Sequence, residues 1–219
     1  MFKLGSSKGT MVKPNKAHGS EKRMTLSKHT KRTLGSGNMR EAVILPPNED
    51  KNEWIAANTV DFFNELSLLY GLVSEEAAQA YTSPGEGFPP GFEYRWQAPG
   101  TDSKPLKCSS PEYVDYVMTW VDDQINNEDI FPISENQPFP VNFQNYAKDI
   151  FKRMFRIFAI LYHRHFAQIE ELDAAAHLNT CFKHFAFFCF EFDLLDEKET
   201  KALQGPFDRM RDEYDAYTA

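Results

Sequence analysis

The sequence predicts a mainly α-helical domain, built on a four-helix bundle and carrying one short β-hairpin. Three observations lead there. Apolar residues recur at helical spacing from about Asn52 to Tyr70 and again from about Asn142 to Phe166 or beyond, the period of a helix with one face in a core. The stretch from Leu178 to Leu195 is apolar around most of its circumference, which suits a central buried helix. Only Phe92 to Trp96 alternates with the two-residue period of a strand. Helices in succession with a single hairpin describe a bundle-based domain.

The elements follow in order. Residues 1–25 are rich in Gly, Ser and Lys with little apolar content and read as disordered. A basic arm is therefore expected over 1–30 and a single domain over 31–215. Leu34-Gly35-Ser36-Gly37-Asn38 is turn-rich, but no strand precedes it, and it lacks the shape of a phosphate-binding glycine loop. The first long helix carries Trp54, Ile55, Phe62, Phe63, Leu66 and Leu69, with Gly71 as a possible interruption near its end. Ser83 to Gly91 is a Pro/Gly-rich loop, and the strand at Phe92–Trp96 pairs with the stretch around Leu106. Ser110, Pro111 and Glu112 supply an N-cap, a proline at N1 and an acid in the first turn of a helix running to about Asn127. Pro132, Pro138 and Pro140 then break the chain before the long helix from Asn142, and a last, more exposed helix is expected from Glu197 to Tyr214.

A chain of 219 residues with 42% hydrophobic residues and 19 Phe can bury a large aromatic core. No apolar run approaches the roughly 18 residues of a membrane span; Lys183, His184 and Glu191 interrupt the richest stretch. Lys3 and Lys8 are followed by no continuous apolar segment, so no signal peptide is expected. Cys108, Cys181 and Cys189 are scattered, which fits a reducing compartment.

Charge is unevenly spread. Residues 1–40 hold ten Lys/Arg and one acid, giving +9, and the remainder holds 14 basic and 31 acidic residues, giving −17, against −8 for the whole. A basic arm can suggest nucleic acid, but this one has almost no aromatic residues to stack on bases, and the acidic body would repel a phosphate backbone. An arm lying on its own body, or a body that binds a basic partner, fits better.

Phe151 to Phe166 carries the most chemistry. At about 100° per residue, Lys152, Arg153 and Arg156 share an arc of a quarter turn, while Met154, Phe158 and Leu161 face away. Three like charges on one side repel, and in sequence only Asp149 stands close enough to offset them. An external phosphate, bound bidentately by arginine forks, would justify the cluster. A solvated basic face explains it equally well from the residues alone. No Ser/His/Asp or Cys/His arrangement has supporting context, and Asp122-Asp123 reads as a solvated helix face, so no enzyme is expected.

Five blocks in register resemble the Mob/phocein family (the Mps-one-binder kinase co-activators): TLGSGNMREAVILPP at 33–47, NEWIAANTVDFFNELSLLYG at 52–71, KCSSPEYVDYVMTW at 107–120, KRMFRIFAILYHRHF at 152–166 and AHLNTCFKHFAFF at 176–188. The resemblance implies a Mob-type helical domain without enzymatic activity. It implies binding to the N-terminal regulatory segment of NDR/LATS-type AGC kinases and docking of phosphothreonine peptides of upstream Hippo-type kinases. The cellular setting would be cell-cycle exit, cytokinesis or morphogenesis, in the cytoplasm and also the nucleus or division structures. The alternative is a phocein-like scaffold of a phosphatase–kinase or trafficking complex that activates no kinase.

Residue by residue, the resemblance assigns phosphate binding to Lys152, Arg153 and Arg156. It assigns kinase binding to Glu49, Asp50, Glu53, Trp54, Asp61 and His184, and regulatory phosphorylation to Thr33 and, on a looser match, Thr10. Of these, Trp54 and His184 have a plainer reading as core residues. Family members also hold a structural zinc through two cysteines and two histidines. The corresponding positions here are Ala77, Thr82, Ile160 and His165, and no cysteine precedes Cys108. Structural zinc needs four ligands, so no metal and no cofactor is expected, with apolar packing in the metal's place.

Overall fold

In the computed structural model, which describes residues 21–217 apart from Ser36, Pro99 and Glu135, the expected apolar faces meet in one phenylalanine-rich core. Helix α1 spans Glu21–Gly35 and α2 Met39–Val43; α3 (Lys51–Gly71) is followed by α4 (Ser74–Ala80). Strands β1 (Arg95–Trp96) and β2 (Leu106–Lys107) precede α5 (Ser110–Ile125) and α6 (Phe143–Ile160). A π-helical turn over Leu161–His165 joins α6 to α7 (Phe166–Glu171), and α8 (Ala175–Phe192), α9 (Glu197–Thr200) and α10 (Gln204–Ala216) complete the chain. The fold is mainly α, as the sequence predicts. α3 packs against α5, α6 and α8, which form the bundle with it.

Aromatic contacts hold that bundle together. Phe62 of α3 meets Phe151 of α6 at 5.8 Å between ring centroids, and Phe185 and Phe188 of α8 each at 5.4 Å. Phe151 stacks on Phe185 at 5.2 Å. Burying each such ring stabilises by about 1.5–3 kcal/mol, and well-oriented pairs add about 0.5–1.5 kcal/mol. No helix among the described residues is long and apolar enough to cross a membrane.

Local chemistry sets the ends of the elements. Asp50 caps α3, its Oδ1 accepting from the N–H groups of Asn52 and Glu53 at 2.9 and 3.0 Å. Gly71 ends that helix and does not interrupt it. Ser109, one residue before the expected Ser110, is the N-cap of α5, and Glu112 reaches back to the Ser109 N–H at 2.8 Å. The hairpin is shorter than expected, with Arg95 opposite Lys107 and Trp96 opposite Leu106 in antiparallel register. It is anchored by the 83–91 loop, where Gly85 N donates to Cys108 O and Ser110 N to Glu86 O. Gly87 is obligatory there: at φ +79°, a Cβ would lie 2.0 Å from Ser110 Oγ.

Two expectations are corrected, at the first helix and the last. Residues 21–30, assigned to a disordered arm, are helical: Arg23, Leu26 and Thr30 recur at helical spacing and bury one face of α1, while Met24, Thr25 and Lys28 stay exposed. Two of those three anchors are polar, so hydrophobic periodicity does not register them. The long helix beginning near Asn142 runs beyond Phe166 as expected, through the π turn to Glu171. The last helix is broken at Lys201–Leu203 because Pro206 has no N–H to donate back to Ala202 O; that carbonyl instead pairs with His163 Nε2 at 2.7 Å.

Candidate functional site

Lys152, Arg153 and Arg156 do come together, on the wall of a cavity of about 370 Å³ that is also lined by Arg95, Trp96, Tyr113 and Asp149. They are not a plain solvated face. The Arg153 side chain is only 11% exposed, with its guanidinium carbon 4.5 Å from the Trp120 ring centroid and 5.8 Å from that of Trp96. Such cation–π contacts contribute about 0.5–2 kcal/mol each. Arg156 donates through Nη1 to Tyr113 Oη at 3.1 Å and through Nη2 to Glu199 Oε2 at 2.9 Å, and lies 5.1 Å from the Tyr94 ring. Lys152 reaches Asp149 at 2.8 Å. The two arginines are thus held in fixed orientations before any ligand arrives, the arrangement an oxyanion needs.

The neighbours that fix the arginines are not legible from spacing. Asp149 is local, but Tyr113 and Glu199 each lie 43 residues from Arg156, and Trp120 and Trp96 come from α5 and β1.

The acidic surface is also assembled, and it is covered. Lys22 pairs with Glu49 at 3.2 Å, Arg23 with Glu53 at 2.9 Å, and Ser27 Oγ donates to Asp61 at 3.0 Å, so α1 lies along three of the four predicted acids. Asp50 remains exposed as the cap of α3. Arg23, 4% exposed, also donates to Pro132 O at 2.6 Å and lies 5.4 Å from the Phe139 ring. Burial pushes the Asp61 carboxyl above its ordinary range, partly countered by Ser27.

Trp54 and His184, which the resemblance assigns to the kinase surface, are buried in this structure. Trp54 is fully buried and its indole N–H donates to Val43 O at 3.1 Å, with His29 of α1 edge-on above it. His184 is buried 4.6 Å from the Phe62 ring; burial pushes its pKa down to about 3, so it is neutral. With α1 in place, both lie among the core residues.

Thr33 sits in the last turn of α1, its hydroxyl donating to His29 O at 2.9 Å. Thr10 lies outside the described residues. Of the positions that the resemblance assigns to a zinc, Ala77 and Ile160 are fully buried and Thr82 is exposed. His165 alone has a ligating atom in place, with Nδ1 on Gln168 at 2.9 Å and Nε2 buried without a hydrogen-bond partner. Among the described residues no group of three or more His, Cys, Asp or Glu could hold a metal. This donor set does not fit a structural zinc.

The geometry is that of a helical binding domain with two oppositely charged surfaces. The family model described as Mob1/phocein family matches residues 31–203, and the chain belongs to that family. It is 48% identical over 204 residues to "MOB kinase activator-like 1A" of Arabidopsis thaliana, covering 93% of this chain and 94% of that one. It is likewise 48% identical over 212 residues to "MOB kinase activator-like 1 homolog B" of Dictyostelium discoideum, covering 96% and 98%. A "MOB kinase activator-like 1A" of Medicago sativa subsp. falcata is 46% identical over 211 residues, covering 96% and 98%.

Proposed function

We propose that this chain is a non-catalytic kinase co-activator and adaptor. Its acid face takes the basic N-terminal regulatory segment of an NDR/LATS-type AGC kinase, and its basic cavity docks phosphothreonine segments of upstream Hippo-type kinases. One observation carries the reading: Glu49, Glu53 and Asp61 already hold a basic helix, the chain's own α1, through Lys22, Arg23 and Ser27. A surface that seats one basic helix internally is suited to seat another. The relatives, named as kinase activators, support the same direction.

α1 then acts as a mask. Phosphorylation of Thr33 adds about −1.5 to −2 charges at a helix C-terminus, where the dipole already concentrates negative charge, and removes the hydroxyl that donates to His29 O. The helix is weakened there and its basic residues are released from the acids. The zinc-linked corner of the family is replaced by apolar burial at Ala77 and Ile160, so the domain works without the metal.

Calorimetry with the kinase segment and the whole chain tests the proposal, using Glu53→Lys as control. That substitution also frees α1 by repelling Arg23, so lost binding in the variant reports the acid face itself. Binding by the natural chain that disappears in Glu53→Lys is the expected result. Absence of binding even after α1 is released would favour the phocein-like scaffold.

A further inference from the structure

Two carboxylates meet the three cations of the basic cavity, and they stand differently. Glu199 lies behind Arg156, its side chain 16% exposed and 2.9 Å from Nη2. It lines only the smaller neighbouring cavity of about 80 Å³. Asp149 stands on the wall of the main cavity, 42% exposed, with Oδ1 2.8 Å from Lys152 Nζ and 3.4 Å from Arg153 Nη1. Arg153 does not need that carboxylate for placement. Its Nη1 donates to the Asp149 backbone carbonyl at 3.0 Å, and the Trp120 ring holds its plane. A single solvent-facing carboxylate thus spans two of the three cations, in the place and with the charge of a ligand oxyanion.

We propose that Asp149 is a specificity-determining residue, a resident competitor that occupies Lys152 and Arg153 until a phosphothreonine displaces it. The inference rests on the phosphate reading of the cavity. Asp149 precedes Lys152 and Arg153 by one helical turn, so it is tethered at an effective concentration on the order of millimolar or above. A glutamate side chain offers the same charge as Asp149 from free solution and does not displace it. Phosphate, with about −1.5 to −2 charges and three acceptor oxygens, can engage Lys152, Arg153 and Arg156 together. The resident acid therefore sets a threshold that a dianion passes and a carboxylate does not.

The test is a fluorescence-anisotropy titration of an otherwise uncharged peptide carrying one phosphothreonine, and of the same peptide with glutamate in its place. The proteins are the natural chain, Asp149→Asn and Asp149→Ala, each checked for unchanged thermal unfolding. The natural chain should bind the phosphopeptide and not the glutamate peptide. Both variants should bind the phosphopeptide about three- to tenfold more tightly, the scale of partly exposed ion pairs no longer competing. They should also acquire measurable affinity for the glutamate peptide. Unchanged or weaker phosphopeptide binding by folded variants would overturn the competitor and make Asp149 a positioning residue. Absence of phosphopeptide binding by all three proteins would overturn the phosphate reading itself, and this inference with it.

Discussion

The acidic face and the basic cavity are both built from charged side chains on bundle helices, yet the chain occupies them very differently. Along the acidic face, a whole helix is docked: α1 engages Glu49, Glu53 and Asp61 and buries Arg23 and Leu26 as it does so. In the basic cavity, among the described residues, the Asp149 side chain is the one carboxylate paired with Lys152 and Arg153, while Tyr113, Glu199 and the aromatic rings fix the arginines. A partner of the first surface must displace secondary structure. A ligand of the second displaces one carboxylate. The first is therefore suited to regulation by modification of the masking helix, the second to immediate docking.

The largest expected effect separates the two surfaces. Arg153→Ala with Arg156→Ala should lower phosphopeptide affinity at least about a hundredfold, since each guanidinium can supply charge-assisted bonds of about 1.5–3 kcal/mol. Calorimetry should show kinase-segment binding unaffected in the same protein. Parallel loss at both surfaces, with circular dichroism showing a folded bundle, would merge what the structure keeps apart.

Arg23→Ala should act in the opposite sense on the other surface. It removes the buried anchor that joins α1 to Glu53, Pro132 O and the Phe139 ring, and should raise kinase-segment affinity about tenfold, about 1.4 kcal/mol. Phosphopeptide affinity should not move.

A pH titration distinguishes the regions by stability. His184 lies beneath the acidic face, one residue from Asp61 through its contact with Phe62, and is held neutral with its pKa pushed down to about 3. Between that value and about 6.5 the unfolded chain binds the proton that the folded chain refuses, so stability is complete above that window and falls as pH drops into it. The expected loss at pH 5.5 is about 1.4 kcal/mol from this residue, and His184→Leu should flatten the slope in denaturant titrations. Asp61, whose carboxyl is pushed up by burial, works with the opposite sign but nearer the carboxylate range.

The smallest expected effect is none. A strong chelator should leave the melting temperature and both affinities unchanged, because Ala77 and Ile160, at positions the resemblance assigns to metal ligands, are buried apolar residues, and no group of three or more His, Cys, Asp or Glu among the described residues could hold a metal. A drop in melting temperature on chelation would mean that other donors hold a metal.

The bundle was legible because its phenylalanines repeat at helical spacing in Phe151–Phe158 and Phe182–Phe188, and that signal is purely local. Lys152, Arg153 and Arg156 were legible for the same reason. Their fixing partners were not, since Glu199 and Tyr113 reach Arg156 only through the tertiary fold. α1 escaped because Arg23 and Thr30 bury polar groups through specific hydrogen bonds to Pro132 O and Leu26 O, which no hydropathy pattern reports. The break before α10 was present in the sequence as Pro206 and needed only the missing N–H to be counted.

Competition between α1 and the kinase segment is tested most directly by hydrogen exchange across residues 21–35 of the whole chain, with and without the segment. If both occupy the same acids, amides of α1 lose protection as the segment binds, while those of α3 gain it. An α1 that keeps its protection in the saturated complex would contradict the shared surface.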